Sequence, residues 1–213
     1  ETIVLKQLQK RVIDITYKKG LSHLSSTLSA LPIIFEIYQE KEEDEVFILS
    51  CGHAGLALYV VLEYKYGIDP EALLDKYGIH PCRDIENHIH CSTGSLGQGI
   101  TVAVGHAVAN KHKNVYCLIS DGECAEGSVW EALKFKDDNR LDNLLVYANV
   151  NGLSAYDEIN TTKLMLRLKL FCEDIHTRSS SGLELDFTNG LESHYHRITD
   201  NEYLKYSSTE GKK

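Results

Sequence analysis

The chain has 213 residues, of which 43% are hydrophobic and 25% are charged, as in an ordinary globular protein. Its formal net charge of −9 and pI near 5.6 argue against a broad nucleic-acid-binding surface. No apolar run approaches the roughly 20 residues of a membrane span, and no signal-peptide pattern opens the sequence. The cysteines form no CxxC motif, so we predict free thiols and a reducing, cytoplasmic location.

Apolar periodicity, cap residues and glycine stops predict the secondary structure. In chain order the predicted elements are a helix ending near residue 20, a helix at 29–38, a strand at 46–49, helices at 54–66, 70–77 and 100–109, a strand at 115–119, a helix at 128–139, a strand at 144–148, a helix at 164–171 and a weak strand at 174–179. Continuous apolar strands that alternate with helices indicate an α/β fold, a mainly parallel sheet with helices on both faces. We predict one domain over residues 1–203 and a flexible tail over 204–213.

Polar residues follow two neighbouring strands of this predicted sheet. Asp121-Gly122-Glu123 comes directly after the strand at 115–119, and Asn149-Val150-Asn151-Gly152 ends the next strand along the chain. In a strand–helix–strand unit both segments face the same crevice. Carboxylate and carboxamide oxygens suit one divalent cation and leave room for phosphate oxygens, although both dipeptides are also common turn formers. The pair therefore predicts a magnesium–diphosphate site.

The segment from Ser120 to Gly152 resembles the thiamine-diphosphate motif of the transketolase family, which reads GDG and ends in an asparagine at the same spacing. Three further motifs follow the family's order: residues 18–24 look like its early SGHxG segment, 47–54 like FVLSNGHA, and 93–99 like TGPLGQG. His80-Pro81 stands where the family has GHP. The resemblance covers about residues 5–155 and implies the diphosphate-binding domain of a thiamine-diphosphate enzyme.

The resemblance also implies roles for individual residues. Three of them would bind Mg²⁺, or Ca²⁺ or Mn²⁺ in its place: Asp121 and Asn151 through their side chains, and Leu153 through its carbonyl oxygen. Further contacts to the cofactor are implied for His53, Gly94, Leu96, Gly122 and Glu123. The implied catalytic residues are His23 and His80, which would face the substrate, and Glu126, which would join an acidic network between active sites. His194 and His196 resemble a late histidine segment that reaches the substrate.

The chain departs from the family pattern in several places. Ser120 replaces the first glycine of GDG, and Val150 replaces the first asparagine of the closing pair. The family's GHD segment, with its following helix and strand, has no counterpart after residue 170, which predicts a sheet shortened at the C-terminal end, with an edge that a partner would cover. The pyrimidine-binding domain, which carries the activating glutamate, also has no counterpart.

These observations predict the N-terminal subunit of a split transketolase that depends on thiamine diphosphate. It would transfer a two-carbon ketol unit between sugars, expected to be sugar phosphates, together with a separately encoded C-terminal subunit that supplies the pyrimidine domain. We expect an α2β2 heterotetramer, or a homodimer of this chain when it is alone. The alternatives are a thiamine-diphosphate enzyme acting on a 2-keto acid, and a degenerate, non-catalytic interaction protein.

Other interpretations of single motifs stay open at this stage. His23 could simply lie at the surface, His53 could cap a helix, and residues 94–99 could be only a tight turn. A histidine- and cysteine-rich segment could in principle bind zinc through His80, Cys82, His88, His90 and Cys91. Its spacing fits no standard zinc finger, however, and in an extended backbone residues 88 and 90 would point to opposite faces.

Overall fold

The structure, a computed structural model, describes residues 2–152, 159–179, 185 and 195–210. Within these residues, four parallel strands form one sheet in the order β1 (Val46–Leu49), β2 (Val115–Ser120), β3 (Leu144–Asn149) and β4 (His176–Arg178). Neighbouring strands in the sheet are also consecutive along the chain, and helices connect them. The predicted parallel α/β fold is therefore confirmed.

Helices cover both faces of the sheet. They are α1 (Thr2–Lys19), α2 (Leu24–Glu40), α3 (Gly55–Tyr66), α4 (Pro70–Tyr77), α5 (Gly99–Ala109), α6 (Gly127–Asp138), α7 (Thr161–Phe171) and α8 (Asp200–Glu210). None of the helices in the described ranges is long and apolar enough to cross a membrane.

Side chains that alternate along the strands form two separate cores. Tyr116 and Leu118 of β2 pack with residues of α1–α4 on one face of the sheet. Cys117 and Ile119 of the same strand pack with α5, α6 and α7 on the other face. Because successive side chains of a strand point to opposite faces, a strand buried on both sides consists almost entirely of apolar residues. This explains why the strands could be located in the sequence as short apolar runs.

Helix α2 begins earlier than its sequence predicted. It starts at Leu24 rather than at residue 29, so Pro32 lies inside the helix and not in its first turn. Pro32 has no N–H and cannot donate to the carbonyl of Leu28. Leu24 and Leu28 are both buried in the core beneath the helix, and this burial offsets the weak helix propensity of the serine-rich start. The longer helix places Ser26 and Ser29 above the C-terminal end of the sheet, close to the cavity described below.

The chain segment predicted to be a flexible tail is in part helical. Residues 204–210 form the second half of α8, and Tyr206 is buried. Tyr203 stacks on Tyr17 of α1 with ring centroids 4.0 Å apart, and its hydroxyl donates to Asp14 at 2.8 Å. Tyr203 thus contacts α1 through both its apolar ring and its hydroxyl. Such a contact can hold a helix in place even when the intrinsic helix propensity of its sequence is low.

Candidate functional site

A cavity of about 190 Å³ opens at the carboxyl ends of β1, β2 and β3. Most of the residues predicted for the cofactor and substrate site line it: His23, His53, His80, Gly94, Leu96, Asp121, Gly122 and Asn151. Ser26, Cys51, Ala54, Ser120 and Asn149 complete its wall. Motifs that are far apart in the sequence therefore meet at one edge of a parallel sheet, where such folds bind ligands.

The ladder between β2 and β3 positions Asp121. Ser120 pairs with Asn149 at the last register position, and the Asp121 amide then donates to the carbonyl of Asn149 at 3.0 Å. The carboxylate accepts hydrogen bonds from the Gly122 amide at 2.9 Å and from the Gly152 amide at 2.7 Å. These bonds join the loops that follow the two strands, so that the carboxylate and the carboxamide of Asn151 lie in the same wall.

The environment of Asp121 suits a cation. Asp121 is only 2% exposed, and no lysine or arginine of the described ranges forms an ion pair with it. Burial raises the pKa of Asp121 to about 6, against the opposing effect of the backbone hydrogen bonds from Gly152 and Gly122. A positive ligand offsets the free-energy cost of burying a carboxylate. A carboxylate and a carboxamide oxygen together also provide the hard oxygen ligands that Mg²⁺ prefers. The residues present therefore fit a divalent cation.

Close backbone contacts hold the cavity-lining loops together. A Cβ on Gly52 would lie 2.7 Å from the backbone atoms of Thr93 and Gly94, so the loops after β1 and before α5 touch at a point where only glycine fits. A Cβ on Gly94 would lie 3.1 Å from the ring of His80. This packing places His80 and Gly94 side by side in the cavity wall.

Three histidines, His23, His53 and His80, also line the cavity. His23 precedes α2 in a left-handed conformation, with φ at 64°, and its ring centroid lies 5.6 Å from that of His53. Tyr195 packs edge-on against His23 at 5.7 Å. The late segment predicted to reach the substrate therefore approaches the cavity through Tyr195. His196 instead lies outside the described wall, with Nε2 at 2.9 Å from a carboxylate oxygen of Glu202.

Glu123 lies behind the cavity wall and not in it, although the family motif predicts a contact with the cofactor. Its side chain is fully buried, and one carboxylate oxygen accepts from the Ser50 hydroxyl at 2.7 Å and from the Gly97 amide at 2.9 Å. The other oxygen accepts from the Ser120 amide at 3.1 Å. Glu123 therefore joins the loops after β1 and β2 to the loop before α5. Burial raises its pKa, an effect that these hydrogen bonds oppose.

Other predicted residues have different positions. Glu126 is exposed at the start of α6, outside the wall formed by the described residues. Leu153 and His194 lie outside the described residues, so their predicted roles stay predictions.

The segment considered for zinc is divided between different environments. His88 stacks on Tyr66 with ring centroids 3.8 Å apart, whereas His80 lines the cavity. Among the described residues, which include the whole segment, no group of three or more histidine, cysteine or acidic side chains is arranged to hold a metal ion. The zinc alternative therefore has no geometric support.

Residues 36–178 match the family model for the thiamine diphosphate binding domain of transketolase. This match covers well over half of the chain. The chain belongs to the transketolase family. It is 36% identical over 176 residues to transketolase-like protein 2 of Bos taurus, an alignment that covers 70% of this chain and 28% of that protein.

Two bacterial transketolase subunits are also similar. The chain is 34% identical over 166 residues to one subunit of the apulose-4-phosphate transketolase of Phocaeicola vulgatus, covering 68% of this chain and 58% of that one. It is 32% identical over 168 residues to a 6-deoxy-6-sulfo-D-fructose transketolase subunit of a Clostridium species, covering 68% and 60%. The chain thus spans less than two thirds of each of these relatives.

Solved transketolases share the fold. The transketolase of Campylobacter jejuni superposes with a TM-score of 0.74 at 18% identity, over 97% of this chain and 42% of that one. A transketolase variant of Pichia stipitis gives a TM-score of 0.76 at 18% identity, over 97% and 40%. The architecture described above is therefore that of one part of a transketolase.

Transketolase motifs alone did not identify every residue of this site. Ser29 of α2 accepts hydrogen bonds from the side-chain nitrogens of Asn149 and Asn151, at 2.9 and 3.2 Å. It lies in a segment predicted to be a helix, and nothing in its sequence neighbourhood indicates a contact with residues 120 positions later. The signal that could have suggested it is a serine on the apolar face of a helix, where a hydroxyl needs a partner.

Proposed function

We propose that this chain is the N-terminal, diphosphate-binding subunit of a split transketolase, which transfers a two-carbon ketol unit between sugars with the help of thiamine diphosphate. The observation that carries the proposal is the cavity in which the buried carboxylate of Asp121 and the carboxamide of Asn151 meet three histidines. The similarity to proteins named as transketolase subunits supports a division of the enzyme between two chains.

In the proposed site Asp121 and Asn151 hold a divalent cation, which we propose to be Mg²⁺, with the Leu153 carbonyl as a third ligand. Gly122 leaves room for the diphosphate to approach the backbone. His53, Gly94 and Leu96 line the part of the cavity assigned to the cofactor. Bound thiamine diphosphate would supply the electron sink that stabilises a carbanion, and the protein would position it.

His23 and His80 are assigned to the substrate. Both line the cavity, and imidazoles can donate hydrogen bonds to sugar hydroxyls or carry a proton near neutral pH. We assign Glu126 to contacts with another protein chain, since it is exposed at the start of α6. His194 and His196 remain candidates for substrate contacts, and of these two the described residue His196 lies outside the cavity wall.

The proposed partner is a separately encoded chain with the pyrimidine domain, in an α2β2 assembly in the cytoplasm. The test is reconstitution. The purified chain should show no ketol transfer alone and should gain it when mixed with a partner of that kind, Mg²⁺ and thiamine diphosphate. Donors should include phosphorylated and free ketoses and a 2-keto acid. Full activity of the isolated chain would contradict the two-subunit proposal, and turnover of the 2-keto acid alone would contradict ketol transfer.

A further inference from the structure

Asn149 has a buried oxygen atom with no hydrogen-bond donor among the described residues. Asn149 is one of the residues that line the cavity and is 2% exposed, and its side-chain nitrogen donates to the Ser29 hydroxyl oxygen at 2.9 Å. Its Oδ1 atom, by contrast, has no hydrogen-bond partner in the described part of the chain. Buried acceptors are nearly always paired in native proteins, so an exception in a cavity wall indicates a ligand.

Ser29 fixes the orientation of this carboxamide. The Ser29 hydroxyl donates to the carbonyl of Ser26 at 3.1 Å, which leaves its oxygen to accept from the nitrogens of Asn149 and Asn151. A flipped Asn149 would place its oxygen against the lone pairs of Ser29. Because that arrangement is repulsive, the nitrogen points towards α2 and the oxygen points away from it.

The residues around Asn149 indicate the charge of the ligand. Asp121 and Asn151 line the same cavity, and no lysine or arginine is present among its described lining residues. An acceptor beside a buried carboxylate and a second carboxamide is best satisfied by a positive ligand or by water bound to one. We infer that Asn149 contacts the hydrated divalent cation of the proposed site through Oδ1, and that Ser29 is the positioning residue that directs both carboxamides towards it. This inference rests on the proposed function.

The experiment measures binding of Mn²⁺ to the full chain by calorimetry, and by the electron paramagnetic resonance signal of free Mn²⁺, with thiamine diphosphate present. Asn149→Ala should weaken Mn²⁺ binding by about tenfold or more, in the range found when groups that support a metal site are removed. Asn149→Asp should bind Mn²⁺ more tightly than Asn149→Ala, since it restores an oxygen and adds charge, while the Ser29 hydroxyl can rotate from the Ser26 carbonyl to donate to the second carboxylate oxygen. Ser29→Ala should also weaken binding, and Ser29→Thr should recover most of it by restoring the hydroxyl.

Asn143→Ala is the matched control. The Asn143 side chain donates to the carbonyls of Ala107, Asn110 and Lys113, at 3.0 to 3.1 Å, and it lies outside the cavity wall. This variant should lose stability and still bind Mn²⁺ like the unmodified chain, which separates a folding defect from a site defect.

Asp121→Ala distinguishes the two ways in which the inference can fail. If Asp121→Ala abolishes Mn²⁺ binding and Asn149→Ala binds within about twofold of the unmodified chain, the role of Asn149 is refuted and the cation site stands. If Asp121→Ala also binds Mn²⁺ normally, the cation site itself is refuted and the inference with it.

Discussion

The buried carboxylate of Glu123 should be essential for the stability of the loops around the cavity, and Glu123→Gln tests this with a minimal change of shape. The two carboxylate oxygens accept from Ser50, Gly97 and Ser120 at 2.7 to 3.1 Å. In the glutamine variant one of these oxygens becomes an NH₂ group, which cannot accept a hydrogen bond. If the remaining oxygen keeps the bonds to Ser50 and Gly97, the new NH₂ group faces the Ser120 N–H, and neither of these two donors has an acceptor there.

The expected loss of stability follows from that contact. A hydrogen bond to a charged group contributes about 1.5–3 kcal/mol, and a buried donor left unpaired costs about 1–3 kcal/mol. Removing a buried charge offsets part of this, because burial disfavours the ionised carboxylate. We therefore expect a net loss of about 2–4 kcal/mol, which for a chain of this size lowers the melting temperature by roughly 5–15 °C.

Thermal and urea denaturation of the two purified proteins measure the effect. Glu126→Gln is the control, since it makes the same chemical change three positions away at an exposed side chain and should stay within about 0.5 kcal/mol. The control and both proteins are measured side by side. If the melting temperature of Glu123→Gln lies within about 1 °C of that of the unmodified chain, the carboxylate does not hold the loops together.

Three further predictions address other parts of the fold. Gly52→Ala should cost about 1–3 kcal/mol and weaken cofactor binding, because its Cβ would lie 2.7 Å from the backbone of Thr93; denaturation and calorimetry measure both effects. Burial lowers the pKa of His90 from 6.5 to about 4, so His90 is protonated in the unfolded chain before it is protonated in the folded chain as the pH falls. The free energy of unfolding should therefore decrease by about 1–2 kcal/mol between pH 6.5 and 4, a value reduced to allow for the partial exposure of the ring. His90→Gln should flatten that decline in a pH series of urea denaturations, and an equal slope in both proteins would contradict it. Tyr203→Ala removes the ring stacked on Tyr17 and should make α8 cleavable by protease at concentrations that leave the unmodified chain intact; equal cleavage would refute the docking.

The elements of the sheet were predictable because their signals are local. Each central strand is a run of apolar residues buried on both faces, and its end is marked by a polar residue or glycine, as at Ser120 and Asn149. Asp69 and Pro70 likewise identified the start of α4, where the Asp69 side chain accepts from the amide of Glu71 at 2.9 Å. Asp121 could be assigned to the site for the same reason, since the carboxyl ends of adjacent parallel strands face one crevice.

The contact made by Ser29 and the buried position of Glu123 behind the cavity wall were not predicted, because both depend on contacts between distant segments. Ser29 and Glu123 act through hydrogen bonds to side chains or amides on other loops, and a single sequence contains no periodic signal for such pairs. The start of α2 was misjudged because burial of Leu24 and Leu28 outweighs local propensity. Helix α8 was missed because its docking depends on the tyrosine pair at positions 17 and 203, which is visible only once α1 is in place.

The charges in the cavity wall explain why a cation is central to the proposed chemistry. A diphosphate is strongly negative, yet no lysine or arginine is found among the described residues that line the cavity, and Asp121 adds a potential negative charge. Backbone amides and histidines alone would leave phosphate oxygens facing a carboxylate. A divalent cation would remove this conflict, because Asp121 and the carboxamides would hold it and the phosphate oxygens would be attracted to it rather than repelled by the carboxylate. The donor groups of the wall therefore fit the protein side of the proposed metal site, with the cofactor expected to supply the remaining ligands.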